Sequence, residues 1–180
     1  MGDRVKQTLF AILEPKLRGA TFLDLFAGSG AAGIEALSRG AAHATFVERD
    51  ALATRTIRTN LERTNLADAQ RAAVIQEDAL GWLRRRRRPL AGVPVFDIVV
   101  ADPPYDDPGL LTRSLEALGP HLSPDAWVIA KHFWRTAPPP IVELLPPILG
   151  LLASERERRF GETALTFYRR RDVDPATEGA

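Results

Sequence analysis

The chain has 180 residues, of which 45% are hydrophobic and 26% are charged, and this balance predicts one globular domain with a sizeable core. The net charge is only +1, so bulk charge does not by itself indicate a nucleic-acid partner. The absence of cysteine excludes disulfides, thiolate zinc sites and a cysteine nucleophile, and the lack of a long apolar run or cleavable leader predicts a soluble, cytoplasmic protein.

The first half of the chain predicts helices and strands in alternation. An amphipathic helix and lead-in are expected within residues 1–20. The run TFLDLF predicts the first strand, AAGIEALSR a helix, and HATFVE the second strand. Asp50 is expected to cap the next helix, whose Leu52, Ile57 and Leu61 are predicted to face inward.

The second half continues the alternation and then changes pattern. AAVIQED predicts a third strand, ALGWLRRRRR a short helix stopped by Pro89, and VFDIVVA a fourth, more continuously apolar and therefore central strand. A helix and the fifth strand, AWVIAKHF, follow. A further helix is expected after Pro140, and two strands around Gly161 suggest a hairpin. Residues 172–180 are expected to be disordered, which leaves a single domain over 1–171.

Alternating strands and helices predict an α/β, Rossmann-like fold. Its sheet is expected to be mostly parallel, with helices on both faces and the hairpin as an antiparallel edge. Ligands of such sheets bind at the carboxyl ends of the strands, near the point where the strand order reverses. The unusual residues of this sequence follow the first four strands, so the four strand ends are predicted to form one site.

The loop after the first strand is rich in glycine. Gly28, Gly30 and Gly33 form a Gly-x-Gly-x-x-Gly pattern, which lets the backbone approach a ligand at the start of a helix. Glu48, at the end of the second strand, is placed to accept hydrogen bonds from ribose hydroxyls. Asp24 beside the loop would repel a pyrophosphate but suits a ligand that carries an ammonium and a sulfonium.

Two further acids follow the third and fourth strands. Asp78 is expected to accept from an adenine amino group, to cap the next helix, or to do both. Asp102, Pro103, Pro104 and Tyr105 form a rigid segment with several acceptors and one flat ring. These groups suit a planar group with an exocyclic amine, such as a nucleobase, whose lone pair would attack an electrophilic methyl group through positioning and electrostatics.

Five stretches together resemble a known family. FLDLFAGSG, FVERD and ADPPY are similar to class I S-adenosylmethionine-dependent methyltransferases that modify amino groups. With DRVKQTLFAIL and FGETALTFY, the ordered set resembles the bacterial 16S rRNA guanine-N2 methyltransferases of the RsmD type, over nearly the whole chain. The resemblance implies a seven-stranded sheet that ends in the hairpin, and an S-adenosyl-L-methionine-dependent enzyme that methylates N2 of a guanine in 16S rRNA.

The resemblance also assigns roles to residues and partners. It implies that the base is flipped into a catalytic pocket formed by Asp102, Pro103, Pro104 and Tyr105. Its implied cofactor contacts follow three strands and are Asp24, Phe26, Ala27, Gly28, Ser29, Gly30, Glu48, Arg49, Asp78 and Ala79. The implied substrate is 16S rRNA within the small ribosomal subunit or a late assembly intermediate, and the enzyme is expected to be a monomer.

Two features depart from the family pattern. Family members usually begin further upstream, with a Gly- and Arg-rich segment expected to touch RNA or close over the cofactor. The fifth strand ends in AKHF, where the family commonly has a glutamate before the histidine. Lys131 is therefore expected to alter what that strand end contacts.

Several alternatives stay open from the sequence. A DNA adenine-N6 methyltransferase would use the same tetrapeptide, although no separate recognition domain is visible. An NAD-dependent oxidoreductase would explain the glycine loop and Glu48 but not Asp102–Tyr105. A cofactor-binding but inactive RNA-binding module is the third alternative.

The remaining polar and aromatic residues give weaker predictions. The arginine run at 84–88 is expected to be a solvated helix end, with RNA phosphates as the alternative partner. Trp82 is predicted to lie in the core, whereas Phe133 and Trp134 either flank the base pocket or pack under the proline-rich segment. The three histidines are scattered without ligand spacing, so no metal site is predicted.

Overall fold

The computed structural model describes residues 2–85, 95–146 and 150–172. Within these ranges, eight strands form one sheet: β1 (Thr21–Leu25), β2 (His43–Glu48), β3 (Ala72–Gln76), β4 (Phe96–Ala101), β5 (Leu122–Phe133), β6 (Ile141–Glu143), β7 (Leu151–Phe160) and β8 (Thr163–Arg171). The same ranges contain five α-helices: α1 (Asp3–Leu17), α2 (Ala31–Ser38), α3 (Ala51–Arg63), α4 (Ala79–Arg85) and α5 (Pro108–Glu116).

The sheet is mixed, with the strand order β3-β2-β1-β4-β5-β8-β7-β6. The first five strands in this order pair in parallel, and β8, β7 and β6 extend the sheet with antiparallel pairs. The order of the chain reverses between β1 and β4, which is where ligands bind in sheets of this kind. The α/β, Rossmann-like fold with helices on both faces and a C-terminal hairpin is confirmed.

One strand was not predicted. The sequence indicated seven strands and a helix after Pro140, whereas residues Ile141–Glu143 form β6 at the edge of the sheet, paired with β7. The helix prediction is wrong here because three residues are too few to separate the two periodicities. Only the alternation of exposed Ile141, buried Val142 and exposed Glu143 marks the strand.

Successive residues of the central strands point to opposite faces of the sheet and pack into two separate apolar layers, a first and a second. Leu23 and Val99 pack with α4 and α5 on one face, and Phe22 and Ile98 pack with α1, α2 and α3 on the other. Both faces of β4 are therefore covered, which explains its continuous apolar sequence. Trp82 of α4 lies in the first layer, as predicted.

The second layer corrects one prediction about α3. Ile57 and Leu61 are fully or nearly fully buried, but Leu52 is 71% exposed. Five positions separate Leu52 from Ile57, which turns it away from the face that Ile57 and Leu61 share. Thr54, three positions before Ile57, is buried in its place. The predicted cap is confirmed, since the Asp50 carboxylate accepts the Ala53 N–H at 2.7 Å.

The chain ends and the basic run lie partly beyond the described ranges. Three of the predicted features fall wholly or partly outside the described residues: the predicted disordered tail at 173–180, the arginine run at Arg86 to Arg88, and Pro89. Across the described part of the chain, no helix is both long and apolar enough to cross a membrane.

Gly33 is a position where the fold requires glycine for space. A Cβ atom there would lie 2.3 Å from Cε1 of Phe46, a fully buried ring in β2. We expect Gly33→Ala to lower the free energy of unfolding by about 1–3 kcal/mol, because the added methyl group overpacks the contact between α2 and the sheet. Urea unfolding followed by circular dichroism measures this change, and an unchanged midpoint would contradict it.

Candidate active site at the carboxyl ends of the strands

The loop between β1 and α2 has an unusual backbone. Gly28 and Gly30 have positive φ angles of 54° and 77°, and Phe26, which is not a glycine, has a φ of 61°. A non-glycine residue in this region stores strain that the surrounding structure must offset, and such strain concentrates at ligand sites. A Cβ atom on Gly28 would meet no atom within 4 Å, so this side of the loop is open.

Glu48 ties the end of β2 to this loop. One carboxylate oxygen accepts the Gly28 N–H at 2.8 Å, and the other accepts the Asp50 N–H at 2.9 Å. The half-buried carboxylate therefore holds the glycine loop in place while keeping unused acceptor capacity, since each oxygen has two lone pairs. This is the position at which the sequence predicted a ribose contact.

Asp24 is the buried acid of the site, 3% exposed within β1. It accepts the Gly33 N–H at 2.9 Å. Burial raises the pKa of the Asp24 carboxyl to about 8, and the nearby Asp102 and Glu48 carboxylates act in the same direction. A ligand that brings positive charge close to Asp24 would favour the ionised form of this carboxyl.

The carboxyl ends of the strands surround a cavity of about 450 Å³. This volume falls in the range of small-molecule sites. The predicted site residues that line it follow β1 to β4 and are Phe26, Glu48, Arg49, Asp78, Ala79, Asp102, Pro103, Pro104 and Tyr105. The predicted residues outside its lining belong to β1 and the glycine loop and are Asp24, Ala27, Gly28, Ser29 and Gly30. Val47, Asp50, Leu110 and Lys131 also line the cavity.

Asp78 serves as the cap that the sequence predicted. One of its carboxylate oxygens accepts the Gly81 N–H at 2.8 Å at the start of α4. The residue is exposed and lines the cavity. Ala79 beside it is buried.

Asp102 is held from two directions. Its backbone N–H donates to the Leu25 carbonyl at 3.3 Å, which joins the ends of β4 and β1. Its carboxylate accepts the Lys131 ammonium at 2.6 Å, and both side chains are mostly buried. The sequence did not predict this pair, because the partners are 29 residues apart on neighbouring strands.

Lys131 also contacts the aromatic ring of the segment. Its Nζ lies 5.1 Å from the centroid of Tyr105, and the Tyr105 hydroxyl lies 3.4 Å from the Thr163 hydroxyl on β8. Burial opposes the charge on Lys131, but the Asp102 carboxylate raises the pKa of the ammonium above its ordinary value. Lys131 is therefore positively charged at neutral pH, and Tyr105 remains half-exposed beside it.

The described residues of this site do not form a metal centre from histidines. In the residues that the structure describes, no group of three or more histidine or acidic side chains is placed to hold a metal ion. His132 is buried, with its two ring nitrogens within 2.9 Å of the Phe133 carbonyl and the Thr166 hydroxyl. The absence of a metal from the reaction stays a prediction from the sequence.

The sequence is similar to one protein family and to several known proteins over most of its length. Residues 1–169 match the family described as "Conserved hypothetical protein 95". The chain is 34% identical over 172 residues to YlbH of Bacillus subtilis (strain 168), covering 94% of this chain and 86% of the relative. It is 33% identical over 168 residues to the Ribosomal RNA small subunit methyltransferase D of Escherichia coli (strain K12), covering 93% and 77%.

The similarity extends to solved structures. The structure of yhhF from Escherichia coli superposes on this chain with a TM-score of 0.78 at 31% sequence identity. The superposition covers 96% of this chain and 88% of the other. The similarity in sequence and the similarity in fold therefore both extend over nearly the full length of the chain.

Proposed function

Because this chain belongs to the family of the small-subunit ribosomal RNA methyltransferases D, we propose that it transfers a methyl group from S-adenosylmethionine to N2 of a guanine in 16S rRNA. One observation carries the proposal. A single cavity is lined both by Glu48, beside the glycine loop, and by the Asp102–Tyr105 segment. A cofactor held at the first and an amine held at the second would meet inside it.

The residues present fit S-adenosylmethionine. Gly28 has open space where a side chain would otherwise lie, so a ligand has room at the loop. Glu48 offers acceptors suited to ribose hydroxyls, and Asp78 offers one beside the adenine position. Asp24 lies beneath the loop, where the positive charge of the cofactor's ammonium and sulfonium would favour the ionised form of its carboxyl. Phe26, Ala27, Ser29, Gly30, Arg49 and Ala79 complete the proposed cofactor contacts.

The acceptor side of the cavity positions the amine. In the proposed complex, the Asp102 carboxylate and the Pro103 carbonyl accept hydrogen bonds from the amine, and Tyr105 packs against the face of a base rotated out of its stack. Pro104 fixes the backbone between them. Holding both N–H bonds directs the nitrogen lone pair at the methyl group, so orientation supplies most of the catalysis.

The transfer is balanced without a covalent enzyme intermediate. Bound S-adenosylmethionine supplies an electrophilic methyl group on a sulfonium. With that donor held by the proposed cofactor contacts, the C–N bond would form as the C–S bond breaks with its electron pair left on sulfur, and N2 would release one proton. Asp102 is the carboxylate at hand to receive that proton, and it is ion-paired with the Lys131 ammonium.

The substrate follows from the same proposal. We expect 16S rRNA to be methylated within the small ribosomal subunit or its late assembly intermediate, which places the enzyme in the cytoplasm. We propose that residues 1–171 act as a single methyltransferase domain and that the protein works as a monomer.

The test is methyl transfer from labelled S-adenosylmethionine to small subunits that lack the modification, with naked 16S rRNA and duplex DNA in parallel. Digestion to nucleosides and mass analysis identify the product. N2-methylguanosine from subunits or rRNA supports the proposal. N6-methyladenine from DNA would overturn it in favour of a DNA methyltransferase, and a chain that binds cofactor but modifies nothing would be a binding module.

The cofactor half of the site has its own test. We expect Glu48→Gln to weaken binding of S-adenosylhomocysteine about ten- to a hundredfold, because hydrogen bonds to a charged group contribute about 1.5–3 kcal/mol. Titration calorimetry measures the affinity. Glu14→Gln is the matched control, since Glu14 is an acid on α1 that pairs with Arg39 outside the cavity lining. Equal affinity in both variants would contradict the ribose contact.

A further inference from the structure

An aromatic side chain with two guanidinium groups close to its ring follows the carboxyl end of β5. The guanidinium carbon of Arg159 lies 3.5 Å from the centroid of Trp134, and that of Arg135 lies 4.9 Å from it. We call these three residues the Trp134 platform. Trp134 is half-buried, whereas both arginines are exposed.

Backbone contacts hold the platform in place. The Trp134 N–H donates to the Glu162 carbonyl at 3.0 Å, and Nε of Arg159 donates to the Gly161 carbonyl at 2.9 Å. Both acceptors lie in the turn between β7 and β8, so the turn orders the ring and one guanidinium together. The arrangement is thus present before any ligand arrives.

The platform adjoins the proposed base pocket. Thr163, the first residue after the turn, lies 3.4 Å from the Tyr105 hydroxyl. Phe133, whose ring centroid is 6.4 Å from that of Trp134, lines a small cleft together with Tyr105 and Lys131. The surface from Tyr105 to Trp134 is therefore continuous along one end of β5 and β8.

The two guanidinium groups are not neutralised by the fold. On the neighbouring strand, Arg169, Arg170 and Arg171 each pair with a carboxylate. In the described part of the chain, Arg135 and Arg159 pair with none within 4.0 Å. Their charge remains available to an anion from outside.

We propose that the Trp134 platform binds the RNA strand next to the flipped guanine, with the ring or a guanidinium plane stacked on a base and the arginines on phosphates. The proposal rests on the proposed function. Flat rings interleaved with planar cations are what single-stranded RNA recognition uses, because every base has a face to stack and every nucleotide a phosphate. Arginine provides both contacts at once.

The chain contains a matched control. Arg169 lies over Trp127 at 5.1 Å, on β8 and β5, the same strands that lead to the platform. That pair sits towards the other end of β5, where Trp127 is paired in register with Arg169, and Arg169 also contacts Asp125. Arg169→Gln therefore removes the same kind of arginine–tryptophan contact away from the pocket.

The experiment compares Arg159→Gln, Trp134→Leu and Arg169→Gln. We expect the two platform variants to raise KM for small subunits and Kd for naked 16S rRNA about tenfold, the size of one lost stacking or phosphate contact. For Arg159→Gln, the slope of log Kd against log salt should fall by about 0.7, the value for one phosphate on a single strand. In the two platform variants, kcat and the affinity for S-adenosylhomocysteine should stay at wild-type values. In the control variant, KM and Kd should stay at wild-type values as well.

Every result decides the matter. Unchanged KM and Kd in either platform variant, or an equal rise in Arg169→Gln, would overturn the platform. Urea unfolding of each variant separates a binding defect from a folding defect. Binding is compared only among variants that unfold as the wild type does. Arg135→Gln replaces a platform variant that does not. The Kd arm needs no methyl transfer, so it still decides the platform even if the wild-type protein produces no N2-methylguanosine.

Discussion

Replacing Asp102 by asparagine is expected to lower kcat for small subunits about a hundred- to a thousandfold, the usual cost of removing one charged contact made to a transition state. Asparagine keeps the shape of the side chain but loses the negative charge that holds the amine as it becomes cationic. Affinity for S-adenosylhomocysteine should stay close to wild type, because the proposed cofactor contacts come from β1, β2 and the segments that follow β1, β2 and β3. Single-turnover methylation and calorimetry measure the two effects.

The ion pair with Lys131 calls for a control in this experiment. Asp102→Asn leaves the Lys131 ammonium, 14% exposed, without its partner, and an unpaired charge could disturb the site by itself. The double variant Asp102→Asn, Lys131→Met removes that charge. If activity returns in the double variant, the carboxylate has no direct role. We expect the kcat of the double variant to stay as low as that of Asp102→Asn, because the acceptor for the amine is still missing.

Replacing Asp24 by asparagine is expected to stabilise the protein near pH 8 while weakening cofactor binding about tenfold or more, the loss of one charge-assisted contact. Burial raises the pKa of this carboxyl from 3.8 to about 8. Between these values the unfolded chain has released the proton and the folded chain still holds it. Folding stability is therefore fully present at low pH and is lost as pH rises towards about 8.

The measurement is urea unfolding of both proteins at about pH 5 and about pH 8. The wild type should lose stability across this interval with a limiting slope of about 1.4 kcal/mol per pH unit for one proton. The asparagine variant should show a flatter dependence, since it has no proton to lose at this position. Parallel profiles for the two proteins would show that Asp24 is not the group responsible.

Much of the geometry of the proposed cofactor side was predictable from the sequence because its parts are local. The strand–loop–helix pattern fixes which backbone ends carry Asp24, Gly28 and Glu48, and a parallel sheet brings those ends to one edge. The cap at Asp50 likewise depends on residues within one helical turn. The fold class followed from the same alternation of strands and helices.

The parts that the sequence missed depend on contacts between distant segments or on very short elements. The pair of Asp102 and Lys131 forms only because β4 and β5 are neighbours, and Arg159 reaches Trp134 only after the hairpin folds beside β5. β6 is too short for its periodicity to be distinctive. Leu52 was misassigned because an apolar residue was counted as buried without its angular position on the helix.

The reversal of strand order between β1 and β4 separates the proposed donor-binding residues from the proposed acceptor-binding residues along the chain. Every proposed contact to the methyl donor comes from residues 24–79, and every proposed contact to the methyl acceptor comes from residues 102–163. The seam between these donor and acceptor halves runs through the cavity, where the Asp102 N–H donates to the Leu25 carbonyl. Changes in the acceptor half are therefore free to select a different nucleic acid while the donor half, and with it the cofactor, stays the same.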